Sequence, residues 1–284
     1  MKVLFIGWNE NGEKCLETLI KNAIDILYVA VPSGYDTKGM FKIAKANALE
    51  IMELEKKEFE GLRKSVHTLK PDLIIIASYP YLIPKDILDF PKLGSINIHA
   101  SKLPKYRGYH PINWAIIKDE IEIGVSVHFV DGGMDTGDII EQAVVKLTQF
   151  DDATKVRIKA TTLGAKLLLK AIKKLKKYGT NVPTLVQDDR FASFAPKRLP
   201  DDGKIKWTNT QRSTFNLVRA LSKPYPSAFA YRKDGTRVEF DKAFVSKDVG
   251  VVLGSVKNYY LISCGDGTIL LHCKKKLKVG EKLL

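Results

Sequence analysis

Strands alternating with helical stretches over residues 1–178 predict an α/β fold, a Rossmann-like doubly wound domain, and a turn-rich tail predicts a small OB-like β unit after it. Three observations carry this. The opening MKVLFIGWNENG reads as strand, close turn and helix. The run DLIIIA at 72–77 has no polar alternation, as in a strand buried on both faces of a parallel sheet. The last 60 or so residues hold several short β-like runs separated by turns.

Taken in order, residues 2–6 form a compact apolar strand, and 7–12 turn into a helix over about 12–22. Only Gly7 and Gly12 are present there, so the spacing departs from G-x-G-x-x-G and implies no dinucleotide. A second strand covers 26–31. The loop PSGYDTKG leads to a helix around 40–48, another helix covers 62–69, and the DLIIIA strand follows. SYPYLIPKDIL is a loop entering a short helix, in which Leu82 and Ile83 read as core. Residues 152–178 form one long helix, with Val156, Leu163, Leu167, Leu168, Ile172 and Leu175 near a 3.6 spacing and lysines between. Asp151 or Asp152 caps its start and Gly179 ends it. Its terminal KKLKK reads as a solvated end suited to the helix dipole. The turn-rich segment after it divides the chain into 1–185, a linker over 186–204, and 205–284. In the tail, a helix near 210–221 precedes the β-like runs AFAYR, RVEFDKAFV, VVLGSVK, YYLISC and TILLHCK.

The chain of 284 residues is 45% hydrophobic and 27% charged, ordinary values for a globular protein. Its net charge of +14, from 46 Lys and Arg against 32 Asp and Glu, favours anionic partners. The three cysteines have neither metal-ligand nor disulfide spacing, which suits a reducing cytoplasm. No H-E-x-x-H spacing occurs, so no metal is expected. No apolar run approaches the ~18 residues of a membrane span, so no membrane partner is expected.

The densest chemistry lies at 96–138, INIHASKLPKYRGYHPINWAIIKDEIEIGVSVHFVDGGMDTGD. Asn97 and His99 follow an apolar run two residues apart, so a strand there turns both to one face. The amide can donate to an oxygen that becomes negative, and the imidazole can hold or pass a proton. Pro104, Gly108 and Pro111 punctuate a loop. After VSVHFV comes a loop of three glycines and three aspartates, whose Asp135 is the candidate carboxylate partner for His99. His128 reads as a satisfied sheet histidine, and Asp138 as a cap. His110 sits in the YRGYHP loop, where a substrate contact and a plain loop role are equally open, Ser101 lacks a G-x-S-x-G frame, and Lys105 and Arg107 are either solvated loop cations or contacts for phosphate or carboxylate.

NIHASKLPKYRG followed by DTGD resembles the signature of the folate-dependent formyltransferases. The resemblance implies 10-formyltetrahydrofolate as co-substrate and Asn97, His99 and Asp135 as the catalytic set. It implies folate contacts from Tyr81, Leu82 and Ile83 and from Asp131, Gly132 and Gly133, and acceptor contacts from Lys105, Arg107, Tyr109 and His110. RFASFAPKRLPDDGKIKW, VRALSKPYPSAFAY, LISCGDGTILL and PINWAI resemble the sugar N-formyltransferases. The acceptor expected from these is the amino group of a nucleotide-linked amino sugar, as in lipopolysaccharide biosynthesis. Methionyl-tRNA formyltransferase is the alternative, weakened because only PSGYDTKG stands where those enzymes carry a long basic insertion. Tyr109 departs from the arginine of the aminoarabinose enzyme. A basic nucleic-acid-binding module and a formyl hydrolase are further readings, and sugar enzymes of this kind often pair as homodimers.

Overall fold

The computed structural model describes residues 1–56, 58–244, 258–277 and 283. The chain divides into two units, each with its own core. The first comprises Met1–Gly108, Ile123–Val145 and Lys159–Phe194. Its centre is a seven-stranded sheet of β1 (Lys2–Gly7), β2 (Asp25–Pro32), β3 (Ile51–Leu54), β4 (Leu73–Ala77), β5 (Ser95–His99), β7 (Glu122–Phe129) and β8 (Ile139–Lys146); the two-residue strand β6 (Arg107–Gly108) lies outside it. The spatial order is β3-β2-β1-β4-β5-β7-β8. The first five strands pair in parallel, and β7 runs antiparallel to β5. All five residues of β4 are buried, as its unbroken apolar sequence requires.

Helices α1 (Asn9–Lys21), α2 (Lys38–Ala46), α3 (Glu60–Leu69), the single turn α4 (Lys85–Leu88) and α6 (Ala153–Tyr178) cross between or follow the strands. Leu62 and Val66 of α3 and Ile87 and Leu88 of α4 pack with Leu4, Ile6, Ile74 and Ile76 on one sheet face. On α6, Gly164 lies so close to the sheet that a Cβ there would stand 3.0 Å from Ile98 and 3.4 Å from Val125. Asp152 caps α6, its Oδ1 accepting from Lys155 N at 2.8 Å. The first helix begins at Asn9, earlier than the glycine pattern suggests. Gly12 is a helical residue whose missing Cβ lets α1 approach the end of β1, with Gly7 C only 3.1 Å from the Cβ position. The edge strand β3 escapes a reading by pattern because IMEL is short and its Glu53 is exposed.

The second unit comprises Tyr109–Glu122, Lys146–Ile158 and Ala195–Leu284. It contains α5 (Pro111–Ile117) and α7 (Gln211–Ala220), tied by Asn113 Nδ2 donating to Ala220 O at 2.6 Å. After β9 (Phe194–Ala195) its strands are β10 (Ala228–Tyr231), β11 (Arg237–Phe240), β12 (Lys242–Phe244), β13 (Tyr259–Cys264) and β14 (Gly267–His272). These form a β10–β11 hairpin and a three-stranded β12-β14-β13 sheet over a core that includes Phe215, Val218, Val238, Phe240 and Leu271. It is a small β-rich domain. The run VVLGSVK at 251–257 lies outside the described residues.

One close approach in the first unit bears on the site. A Cβ at Gly124 of β7 would stand 2.3 Å from the backbone of Lys102. Gly124→Ala is therefore expected to lower stability by about 1–3 kcal/mol and to displace the loop after β5. Urea titration checks the first effect and formyl transfer rate the second.

Candidate active site

The site grows from the pairing of β5 with β7. In the antiparallel register Asn97 stands opposite His128, and His99 opposite Ser126. Facing residues of an antiparallel pair turn to the same side, as do residues two apart on one strand. Asn97, His99, Ser126 and His128 therefore share one face. Ser126 supports the loop after β5: its Oγ donates to Ser101 O at 2.7 Å and accepts from Gln142 Nε2 at 2.8 Å and Leu103 N at 3.3 Å.

Asp135 reaches this face from the loop between β7 and β8. Its backbone is left-handed, with φ +56, an uncommon conformation for a residue with a side chain. Asp131 shapes the loop, its Oδ1 accepting from Gly133 N at 2.9 Å and Thr136 Oγ1 at 2.5 Å. Gly137 sits where a Cβ would meet Phe129 O at 2.0 Å, so the chain can pass there only as glycine.

Four groups converge on the Asp135 carboxylate. Gly108 N donates to Oδ2 at 2.9 Å, and His99 Nδ1 lies 3.5 Å from that oxygen. Asn97 Nδ2 reaches Oδ1 at 3.3 Å, with His128 Nε2 at 3.4 Å. Burial pushes the carboxyl up, but the His99 charge, the hydrogen bond and charge of His128 and the Gly108 amide together outweigh it. They hold Asp135 well below the usual carboxylate range.

The ring roles follow from hydrogen-bond accounting. His99 Nε2 donates to Tyr106 O at 2.9 Å, and its Nδ1 faces Asp135 Oδ2 at 3.5 Å. His128 Nδ1 donates to Phe129 O at 2.7 Å, and its Nε2 also lies 3.2 Å from Asn97 Nδ2. His128 is thus part of the cluster and not a bystander of the sheet. In VSVHFV, Ser126 and His128 alternate with apolar residues and so share a face, but what that face meets depends on the strand paired opposite.

Arg107 corrects the expectation of either a solvated or a substrate-facing cation. It is 3% exposed. Its Nε and Nη2 donate to Gln187 Oε1 at 3.1 and 2.9 Å, and Nη2 also donates to Asp189 at 2.9 Å. Gln187 Nε2 donates to the carbonyls of Asp135 at 2.9 Å and Gly137 at 2.7 Å. One glutamine therefore locks the loop carrying Asp135 to the segment whose Gly108 amide holds the carboxylate. Residues 186–204, expected to be a linker, hold this part of the site, and nothing in the local pattern around Gln187 announces it.

The other expected residues fall in three places. Lys105 is exposed in the first unit, while Tyr109 (40% exposed) and half-buried His110 belong to the second. His110 rests edge-on to the Tyr225 ring at 6.0 Å. Burial, then the charges of Arg198 and Lys197, lower its proton affinity below the ordinary histidine value. Tyr81 joins an aromatic cluster with Tyr35 and Tyr79, and Tyr35 packs on Trp8 at 4.4 Å. Leu82 is 77% exposed and so is not core, whereas Ile83 packs against the sheet cluster. Asp131, Gly132 and Gly133 form the exposed rim of the Asp135 loop. Asp138 caps nothing; its Oδ2 accepts from Thr184 Oγ1 at 3.1 Å. Among the described residues no group of three or more His, Cys, Asp or Glu is placed to hold a metal ion, and no helix is long and apolar enough to cross a membrane.

Comparison with known proteins assigns this geometry to a family. The model described as "Formyl transferase" matches residues 1–172, and that described as "Formyl transferase, C-terminal domain" matches 199–281. The chain belongs to the folate-dependent formyl transferase family. It is a formyl-transferring enzyme that uses formyl-folate. The methionyl-tRNA formyltransferase of Clostridioides difficile (strain 630) is 33% identical, over 99% of this chain and 96% of that protein. That of Caldanaerobacter subterraneus subsp. tengcongensis is 34% identical, over 100% and 96%. The N-formyltransferase from Helicobacter canadensis, solved with folinic acid and dTDP-3-aminofucose, is 20% identical, over 97% of this chain and 100% of that one, with a TM-score of 0.76.

These findings overturn the nucleotide-sugar acceptor expected from the sequence. Eight full-length or nearly full-length relatives at 30–34% identity are methionyl-tRNA formyltransferases, whereas the sugar enzymes are structural neighbours at about 20% identity, a level that shares the fold alone. The motifs that suggest a sugar enzyme lie outside the cluster, at 111–116 and from 190 onward, in a two-domain plan that both groups share. The expectation also leans on the length of one surface loop, the 33–37 turn between β2 and α2, which carries no part of the Asp135 cluster.

The geometry has two measurable consequences. Gln187→Ala is expected to reduce turnover about tenfold to a hundredfold while leaving the formyl donor's KM little changed, because it loosens the loop that carries Asp135; steady-state kinetics decides this. For Asp135→Asn, the linkage sign is fixed by the depressed folded value. The carboxylate's contribution to stability is fully present above its unfolded pKa of about 3.9 and is lost as pH falls toward the folded one. The stability gap between wild type and Asp135→Asn is therefore expected to hold from pH 7 to about pH 5 and to narrow below pH 4, as read by urea titration at each pH.

Proposed function

We propose that the enzyme transfers the formyl group of 10-formyltetrahydrofolate to the α-amino group of methionyl-tRNA. The observation that carries this reading is the near full-length similarity to methionyl-tRNA formyltransferases. The net charge of +14 supports a polyanionic acceptor. We assign catalysis to the 1–185 segment, folate contacts to Tyr81, Leu82, Ile83, Asp131, Gly132 and Gly133, and acceptor contacts to Lys105, Tyr109 and His110. The reaction belongs in the cytoplasm, a reading supported by three cysteines without disulfide spacing.

The unprotonated amine attacks the formyl carbon, and negative charge collects on the formyl oxygen. Asn97 Nδ2, whose contacts to Asp135 and His128 are long at 3.3 and 3.2 Å, turns an N–H to that oxygen. The nitrogen gains positive charge as its bond to carbon forms. Asp135, held ionised by its partners, stabilises that charge, and the proton leaves to water or through His99. Breaking the bond between the formyl carbon and N10 then gives formylmethionyl-tRNA and tetrahydrofolate, with N10 taking up a proton.

Tetrahydrofolate release is the measurement, with methionyl-tRNA, pooled nucleotide-linked amino sugars and buffer alone as parallel acceptors. Turnover confined to methionyl-tRNA is expected. Turnover with sugars only, or release in buffer alone as a hydrolase would give, overturns the proposal. Asn97→Ala is expected to fold normally and to lose about 10²–10³ in kcat; retention of most activity would remove Asn97 from the mechanism.

A further inference from the structure

Helix α6 reads ATKVRIKATTLGAKLLLKAIKKLKKY and contains no aspartate or glutamate in 26 residues. Its buried side, Val156, Ala160, Leu167, Leu168, Ala171, Ile172 and Leu175, is spoken for by the core. On the opposite side Lys159, Lys166, Lys170, Lys173 and Lys177 are all exposed. With exposed Thr162 they advance by 3, 4, 4, 3 and 4 residues, so they share one narrow face of the helix. The row is about 27 Å long at ~1.5 Å per residue.

A solvated helix face does not require this arrangement. Ordinary exposed faces interleave acids with bases three or four residues apart, and each such pair stabilises the helix by about 0.2–0.5 kcal/mol. Here 166/170, 170/173 and 173/177 are like-charge pairs at those spacings and destabilise it by similar amounts. The helix dipole favours cations only within the last turn, which accounts for Lys176 and Lys177 and not for Lys166 or Lys170. Lys174 lies to one side of the row and shows what a partnered lysine on this helix does, its Nζ meeting Glu141 at 2.8 Å and Ile140 O at 3.1 Å. Among the described residues no ion pair engages Lys166, Lys170 or Lys173. From Lys166 to Lys177 successive lysines stand about 4.5–6 Å apart along the axis. That spacing is comparable to the repeat of phosphates along one strand of a nucleic acid, and a row of cations relieves its own repulsion by neutralising such a strand.

We propose that this row on α6 seats the sugar–phosphate backbone of the RNA acceptor, a docking surface apart from the Asp135 cluster; the identity of that acceptor rests on the tRNA reading above. The row reads no bases. It adds affinity and salt dependence while the cluster performs the chemistry.

The test is a quadruple variant, Lys166→Gln, Lys170→Gln, Lys173→Gln and Lys177→Gln, beside a control that removes the same charge elsewhere, Lys14→Gln, Lys21→Gln, Lys42→Gln and Lys45→Gln on α1 and α2. All eight lysines are exposed. For the row variant, KM for methionyl-tRNA is expected to rise on the order of tenfold near 0.1 M salt, with the dependence of log(kcat/KM) on log[salt] flattened by roughly 0.7–0.9 for each phosphate left unneutralised. Its kcat and its KM for 10-formyltetrahydrofolate stay unchanged, and the control behaves as wild type. Binding of uncharged tRNA by fluorescence anisotropy repeats the comparison without turnover. A wild type inactive on methionyl-tRNA therefore sinks the functional reading alone, while the row stands or falls on binding. Equal losses in both variants would reduce the effect to net charge, and no loss in the row variant, or a row that binds phosphatidylserine vesicles in preference to tRNA, would overturn the proposal.

Discussion

One carboxylate organises the first unit's functional end. Asp135 has lost most of its water, and an ion in that position persists only when donors replace the water it gave up. The fold supplies them from separate parts of the chain: His99 and Asn97 from β5, His128 from β7 and an amide from Gly108. Each donor imposes a structural condition. β5 and β7 must hold their antiparallel register, the backbone at Asp135 must turn left-handed, and the segment through Tyr106 must fold back over the strand ends. Removing any one condition leaves a buried charge short of a partner.

Gln187 and Arg107 explain how loops carry such a site without blurring it. Loops are mobile unless their backbone polar groups are tied down. The glutamine ties two carbonyls of the Asp135 loop, and the buried guanidinium ties the glutamine. The segment after α6 is thus a strut within the first unit. The buried position of Arg107 also separates it from the groups that meet substrate, with its Nε and Nη2 engaged by Gln187 and Asp189.

What the sequence discloses follows from the range of the interaction that fixes each residue. Asn97 and His99 are readable because two residues on one strand settle their orientation, and DLIIIA is readable because burial on both faces demands an unbroken apolar run. Asp135 is readable from the company it keeps in a glycine loop. His128 escapes because its role depends on which strand lies opposite, and strand pairing is a long-range fact. Arg107 escapes because a loop cation's environment is set by residues 80 and more positions away. Gln187 gives no signal at all, since a lone polar residue in a turn-rich segment has no period. The edge strand β3 and the early start of α1 fall to the same limit, with short elements decided by packing and not by pattern.

The acceptor is the hardest inference for a physical reason. In the proposed mechanism an oxyanion donor, an ionised carboxylate and two imidazoles would serve any amine that attacks a formyl carbon, so such a cluster would select the reaction and leave the substrate open. Selection among amines must come from surfaces that touch the rest of the molecule bearing the amine. A nucleotide sugar is small enough to be recognised within a few residues of the cluster, whereas a transfer RNA extends tens of ångströms beyond it. An RNA acceptor therefore predicts cationic surface far from the chemistry, spaced for a backbone and indifferent to bases. Helix α6 carries nine cations and no acid, with one exposed row.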